Sequence, residues 1–378
     1  MSSVAANTVG QAARLATPRG FARPREGLLA LTIALIVLAV GWRAPVFWTW
    51  RNALDIGNDS AILLILVMGQ MLVLLTRGVD LSVASNLALT GMLCALAARA
   101  WPAIPLALLL ALACGIGAGL GACNGWLITR FALPPIVVTL GTLSVYRGAI
   151  FVASGGAWMS DHEIHPAIQG LPRALWWGLP ALMWLALAVT LATAWLLGRR
   201  RAGRELYACG GNPHAALYVG IAVQRRVRMA YTLSGLLAGL AGLLWVGRYA
   251  IAFTELASGY ELTVVAACVI GGVSIGGGVG TIAGAVLGVL FIGVVNGALP
   301  VIQVSPFWQQ AIAGAVILVS VVLNARADRT LGRPILEARP MPGALGAPVV
   351  QVGQAAQADP VVQVAQVAHG APSQGATA

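Results

Sequence analysis

Residues 160–166, SDHEIHP, bring Asp161, His162, Glu163 and His165 within five positions of one another. An HxxH spacing flanked by carboxylates is a pattern that zinc can use. No general-base motif follows it, and two histidines three apart in a loop arise readily by chance. The stretch is read as a polar loop facing a soluble partner, and no metal is assigned. His214 and His369 lie far along the chain, and no spacing builds a Ser-His-Asp set or an acidic pair. Catalysis within this chain is not expected. Lysine is absent: all 23 basic residues are arginines. That excludes a Walker A loop, whose lysine contacts nucleotide phosphates, and Schiff-base chemistry, which needs a lysine amine. Any ATP that drives this protein is hydrolysed by another chain, and no cofactor is expected on this one.

The remaining candidates for chemistry are polar residues inside oily runs. Ionisable groups within a bilayer are costly and mark function by default. Asp80, in RGVDLSVAS, opens an apolar run; a role in transport competes there with a helix cap, which aspartate favours. Arg147, in LSVYRGAIF, lies about 10 Å by helical rise from the end of its run and is read as snorkelling or ion-paired. Glu261 follows Gly259 and Tyr260 and is read as a cap. The uncharged set is Asn86, Thr90, Asn124, Thr139, Thr142 and Asn296. Such groups bind polyhydroxyl ligands by neutral hydrogen bonds, or they link helices to one another; the residues alone leave both open. A path without regularly spaced charges argues against an ion channel or proton pump and suits a neutral solute.

These side chains need a scaffold, and composition indicates which. The chain has 378 residues, 59% hydrophobic and 9% charged, against roughly a quarter charged in a soluble domain. Apolar runs near the length of a membrane span recur, so an all-α integral membrane protein is expected. Ten spans are read at about 27–42, 60–76, 81–98, 103–123, 133–154, 174–198, 229–248, 261–275, 280–298 and 307–324. Connectors are short within the pairs 60–76/81–98 and 261–275/280–298, which suits a re-entrant or broken helix. With the N-terminus inside, inner segments hold 17 arginines and outer ones five, Arg147 being within a span. The positive-inside rule then places both termini in the cytoplasm. Trp42, Trp48, Trp50, Trp101, Trp158, Trp176, Trp177, Trp245 and Trp308 fall near the outer face, as an interfacial aromatic belt would. The five cysteines lack CxxC spacing and read as small hydrophobes. The net charge of +11 follows from arginine placement, so it speaks of orientation and not of nucleic acid. Residues 1–26 form a cytoplasmic segment, 27–325 the membrane domain, and 326–378 a low-complexity tail expected to be disordered.

Glycines govern how closely the spans approach. Gly117, Gly121 and Gly125 are four apart, as are Gly115 and Gly119, Gly235 and Gly239, and Gly280, Gly284 and Gly288. Positions four apart share a helix face, and small residues there let membrane helices pack backbone to backbone. GGVSIGGGVG (271–280) has no following lysine and no preceding strand; a tight cytoplasmic turn is expected instead of a phosphate cradle.

Between two spans lies CGGNPHAALYVGI (209–221), within an inner loop that carries seven arginines. Asn212 followed by Pro213 is a helix start, with asparagine as N-cap and proline in the first turn. Ala215, Ala216 and Leu217 after His214 favour helix, and Gly220 can end it. A short helix outside the bilayer is expected. GRELYACGGNPHAALYVGI (203–221) resembles the coupling segment of ribose-type bacterial ABC importer permeases. GVDLSVAS, NGWLITRFALPPIVVTLGTLSVYRGAIF, YTLSGLLAGLAGLL, GYELTVVAACVIGGVSIGGGVGTIAGAVLG and SPFWQQAIAGAVILV resemble that family's runs, in its order, across about 27–325. YRGAIFVASGGAW and ALPVIQVSPFWQQAI are most similar to rhamnose-type members, with autoinducer-2 importers near. The resemblance implies a multi-pass protein of the bacterial inner membrane that imports a neutral monosaccharide. It implies a second permease subunit, a periplasmic sugar-binding protein, and a cytoplasmic ATPase that holds ATP and Mg. It places Asn212 through Gly220 on the ATPase and GVDLS, with Asp80 and Ser82, near the translocation core. Tyr218 and Val219 stand where the family usually has a smaller, more polar pair. Three rivals are a branched-chain amino-acid permease of a related family, a stand-alone secondary transporter, which would need ion-coupling carboxylates in its spans, and a membrane enzyme, which the missing catalytic set disfavours.

Overall fold

The computed structural model describes residues 24–301 together with Trp308, Ala311, Gly314 and Ala315. Its helices are α1 (Pro24–Arg43), α2 (Trp50–Leu75), α3 (Val83–Ala100), α4 (Leu106–Phe131), α5 (Pro135–Ser154), α6 (Pro166–Arg173), α7 (Ala181–Arg199), α8 (Arg201–Gly211), α9 (Pro213–Tyr218), α10 (Val223–Tyr249), α11 (Tyr260–Ile270) and α12 (Ile282–Val301). Eight of them are long and apolar enough to cross a bilayer; α6, α8, α9 and α11 are not. The expected span 307–324 lies largely outside the described residues. So do the tail 326–378 and most of the segment 1–26.

Three expected spans take a different form. The span at 60–76 begins ten residues earlier, at Trp50, where Thr49 caps α2 by accepting from the Asn52 amide. The span at 174–198 starts only at Ala181, because Leu175–Trp176 and Leu179–Pro180 pair as a small antiparallel hairpin. Trp177 and Gly178, with φ of 51° and 79°, form its two-residue turn. The span at 261–275 is an 11-residue helix, about 17 Å long beside a hydrocarbon layer of about 30 Å. Non-helical backbone at 250–259 precedes it. Such backbone is tolerated at membrane depth only where protein satisfies it. Arg147 does so, donating Nη1 to the carbonyls of Thr254 (3.1 Å) and Leu256 (2.7 Å).

Hydrogen bonds sort the loops into two ends, and they are the ends that arginine counting separates. At one end Thr281 donates to Glu26 (2.6 Å), Gly278 N to Leu75 O (3.1 Å), and Arg228 Nε to Thr129 (2.7 Å). At the other, Arg99 pairs with Glu163 (3.3 Å), Met159 bridges to Ala252, and Arg248 pairs with Asp59 (3.1 Å).

The centre is α2, whose membrane window is 89% buried; α10, α12, α7 and α11 pack around it. α4 meets α10 through glycine. A Cβ on Gly117 would collide with the Gly235 carbonyl, one on Gly121 with the Tyr231 carbonyl, and one on Gly239 with the Ala113 carbonyl. Gly125 sits against Arg228, its would-be Cβ 2.9 Å from that Cα. Gly235 in turn faces Gly117 and Gly121. Gly115 and Gly119, on the other side of α4, face open space. Gly284 and Gly288 of α12 press on Gly271 and Ala267, whereas Gly280 precedes that helix and faces the methyls of Val273.

Candidate functional site

After Leu75 the chain turns through Arg77, whose φ of 64° is left-handed, and re-enters the protein. Gly78, Val79, Asp80 and Ser82 are all buried, and buried non-helical backbone must find partners. Gln70, with its amide oriented to satisfy both groups, brackets Asp80, donating to its carbonyl and accepting from its amide at 3.2 Å each. The Val79 carbonyl accepts from Thr139 (3.2 Å) and Tyr231 (3.4 Å). Asp80 Oδ1 accepts from the amide (3.0 Å) and hydroxyl (2.7 Å) of Ser82. Asp80 is therefore not the N-cap of α3; Ser82 is, and the aspartate closes a local turn two residues back.

From Ser82 the bonding runs on. Its Oγ accepts from Asn124 Nδ2 (2.8 Å), and the Tyr146 hydroxyl, which donates to Leu120 O (2.9 Å), lies 3.5 Å from Asn124 Oδ1. Asn86 Nδ2 donates to Gly117 O (3.2 Å), and its Oδ1 accepts from Thr90 (3.1 Å). Asp80, Ser82 and Asn124 thus form one connected cluster; beside it Asn86 is bonded to α4, and Thr90 to Asn86. Ser234 Oγ, beside Gly69, is buried without a partner among the described residues. Asn296 stands apart, in the wall of an outer-end cavity of about 430 Å³. Sequence reasoning misses Gln70, Tyr146 and Tyr231. The one available signal is that a tyrosine inside an apolar run needs somewhere for its hydroxyl.

The stretch 209–221 folds as its local signals require. Asn212 Oδ1 accepts from Ala215 N (3.0 Å), Pro213 opens α9, and Gly220, with φ of 79°, ends it. His214, Ala215, Leu217, Tyr218 and Val219 are exposed, Tyr218 at 92%; Ala216 faces inward at 3%. Leu217, Tyr218 and Val219 thus present three consecutive large apolar side chains on the protein's exterior.

Two devices fix α9 to the membrane helices. Buried Glu205 of α8 accepts from Arg226 and from Arg201 (2.6 Å). These bonds, Arg226 first, hold its carboxyl below the usual carboxylate range against the opposing effect of burial. Arg77 donates Nε to Gly210 O (2.6 Å) and an Nη to Gly211 O (2.8 Å), at the last turn of α8. A cation is favoured at that position. Gly210 packs so tightly that a Cβ would strike the Leu75 carbonyl. The last residues before α9 are thereby clamped to the turn that leads to Asp80.

In SDHEIHP, Asp161 pairs with Arg173 (3.4 Å) and Glu163 with Arg99. His165 caps α6 through Nδ1 and bonds Pro102 O through Nε2 (2.7 Å). Glu261 lies in the first turn of α11, behind the N-cap Gly259, and its Oε2 has no partner among the described residues.

Residues 52–321 match the family described as Branched-chain amino acid transport system / permease component. The chain is 36% identical over 306 residues to the Autoinducer 2 import system permease protein LsrC of Enterobacter sp. (strain 638), covering 81% of this chain and 87% of that one. LsrC of Klebsiella pneumoniae is 36% identical over 301 residues, 80% and 86% of the two chains. LsrC of Photorhabdus luminescens is 34% identical over 269 residues, 71% and 80%. No solved structure matches.

Proposed function

We propose that this chain, which belongs to the family of branched-chain amino acid transport system permease components, is the membrane-spanning permease subunit of an ATP-driven bacterial importer, and that its cargo is a small neutral polyhydroxyl solute. The family match over 52–321 carries the permease reading. Relatives named for autoinducer 2 import, aligned over most of both chains, support a sugar-like cargo over the amino acids in the family's description. Autoinducer 2 itself is the specific candidate.

Residues 27–325 serve as the permease domain, paired with a second permease subunit in the inner membrane. A separate cytoplasmic subunit binds ATP and Mg and receives the exposed face of α9. A periplasmic sugar-binding protein docks on the outer face, where the 160–166 loop lies. ATP-driven closure of the motor moves α9. The Arg77 clamp on Gly210 and Gly211 passes that movement to Gly78–Asp80 and the cluster around Asn124, biasing an equilibrium between outward- and inward-open states. Chemistry on the cargo forms no part of this cycle.

Reconstituted vesicles test the reading. Sugar uptake should require ATP, the ATPase subunit and the binding protein; accumulation by this chain alone without ATP would overturn it. Tyr218→Asp places a charge on the docking surface without touching the membrane domain. Insertion should be normal, sugar uptake should fall at least roughly tenfold from a loss of contact energy of about 1.4 kcal/mol, and stimulation of the ATPase by loaded binding protein should vanish. Normal uptake by this variant would remove α9 from the coupling role.

A further inference from the structure

We infer that the outer-end cavity between α2, α10 and α12 is a binding subsite for one neutral polyhydroxyl molecule, seated with its C–H face on Trp245 and Tyr260 and its hydroxyls on Asp59, Asn296 and Ser60. The inference rests on the sugar-class reading above.

A cavity of about 430 Å³ falls in the range that small-molecule sites occupy. Its walls are of two kinds. One is aromatic: Trp245 meets Tyr260 edge-on (centroids 4.9 Å apart, 81°) and Tyr249 at 5.2 Å. Facing it are Asp55 and Asp59, one turn apart on α2 and so on one face, with Asn296 from α12.

The polar wall has unused capacity. Arg248 reaches Asp59 at 3.1 Å and Asp55 at 4.0 Å, and Tyr249 donates to Asp59 at 3.4 Å. All three of these contacts use Oδ1, which leaves the Oδ2 atoms as acceptors. Asn296 makes no side-chain hydrogen bond among the described residues. Ser60 is the independent observation. It is 7% exposed, its Oγ has no partner among the described residues, and it faces Gly293, another wall residue, where a Cβ would collide with it. A buried hydroxyl without a partner is costly, and a ligand oxygen at this wall would satisfy it.

The chemistry selects among ligands. A polyol offers O–H donors to carboxylate and amide oxygens and apolar C–H edges to the rings. A zwitterionic amino acid would bring its own carboxylate against two aspartates whose guanidinium is already engaged. An organic cation suits aromatic faces beside carboxylates and is the rival to be tested.

The full-length chain in lipid nanodiscs is titrated with D-ribose and L-rhamnose, with choline and L-leucine in parallel, while tryptophan fluorescence is read. A saturable change with a sugar is expected, and Trp245→Phe should abolish it. Asn296→Leu should raise the half-saturation concentration roughly tenfold. Ser60→Ala deletes only an unbonded hydroxyl, so it should fold normally yet weaken the titration several-fold. The subsite is overturned by no change with either sugar, by titrations unaltered in both Asn296→Leu and Ser60→Ala, or by choline or leucine saturating the signal below the sugars. ATP-driven uptake of the same sugars is scored separately. Uptake without the fluorescence change sinks the subsite and spares the importer; a fluorescence change with ATP-independent uptake sinks the importer and spares the subsite.

Discussion

The cluster around Asp80 and the cavity around Asp59 are built from the same residue types: aspartate, serine, asparagine and tyrosine. In the inner cluster the groups end on protein. Asp80 meets Ser82, Ser82 meets Asn124, and Tyr146 and Tyr231 close on backbone carbonyls. In the outer cavity the Asn296 amide and the Ser60 hydroxyl meet no protein partner among the described residues. Residue type therefore does not distinguish the two sets; what separates Asp80, Ser82 and Asn124 from Asn296 and Ser60 is that the first three are bonded to other side chains of the protein.

That contrast can be broken. Asp80→Leu strips two bonds from Ser82 inside the protein and should lower stability by about 3 kcal/mol, read as the thermal midpoint in detergent. An unchanged midpoint would mean that the inner cluster is not structural. Asn124→Leu, which leaves the Ser82 hydroxyl short of a donor, should cost about 2 kcal/mol by the same assay. Glu205 of α8 sharpens the comparison, being both satisfied and titratable. Its folded carboxyl is held below the ordinary 4.5. The stability it adds is thus present in full above that value and is lost as pH falls below it toward the folded value. The midpoint should decline through that acid window, and Glu205→Gln should flatten the decline. The smallest effect belongs outside: Asn296→Leu should shift stability by no more than about 0.5 kcal/mol. A loss equal to that of Asn124→Leu would erase the distinction between the two clusters.

What is legible in the sequence is what is local. α9 follows from an asparagine, a proline and a glycine at fixed offsets, and the structure places all three in those positions. The early start of α2 is hidden because Arg51, Asp55 and Asp59 depress hydropathy there; Arg248, distant in sequence, pairs with both aspartates. The period of four in α4 reveals two glycine faces, yet only the face with Gly117 and Gly121 meets α10. Periodicity cannot say which face finds a partner. The clamp at Arg77 is invisible for a related reason: its acceptors are backbone carbonyls more than a hundred residues away, and a carbonyl leaves no mark on composition.

The encased position of α2 has a consequence for how the protein is made. The most apolar 18-residue window of this helix has a mean hydropathy of 1.9 although 89% of that window is enclosed by protein. α10, which lies along it, is synthesised only after α3 through α9 have emerged. During translation α2 therefore meets lipid before it meets its permanent neighbours, and it must partition into the bilayer on its own apolar character. Asn58 and Gln70, both buried in the finished protein, ride through that stage as passengers of a sequence oily enough to carry them. Added polarity on α2 will accordingly first be felt at the translocon, as chains that fail to insert.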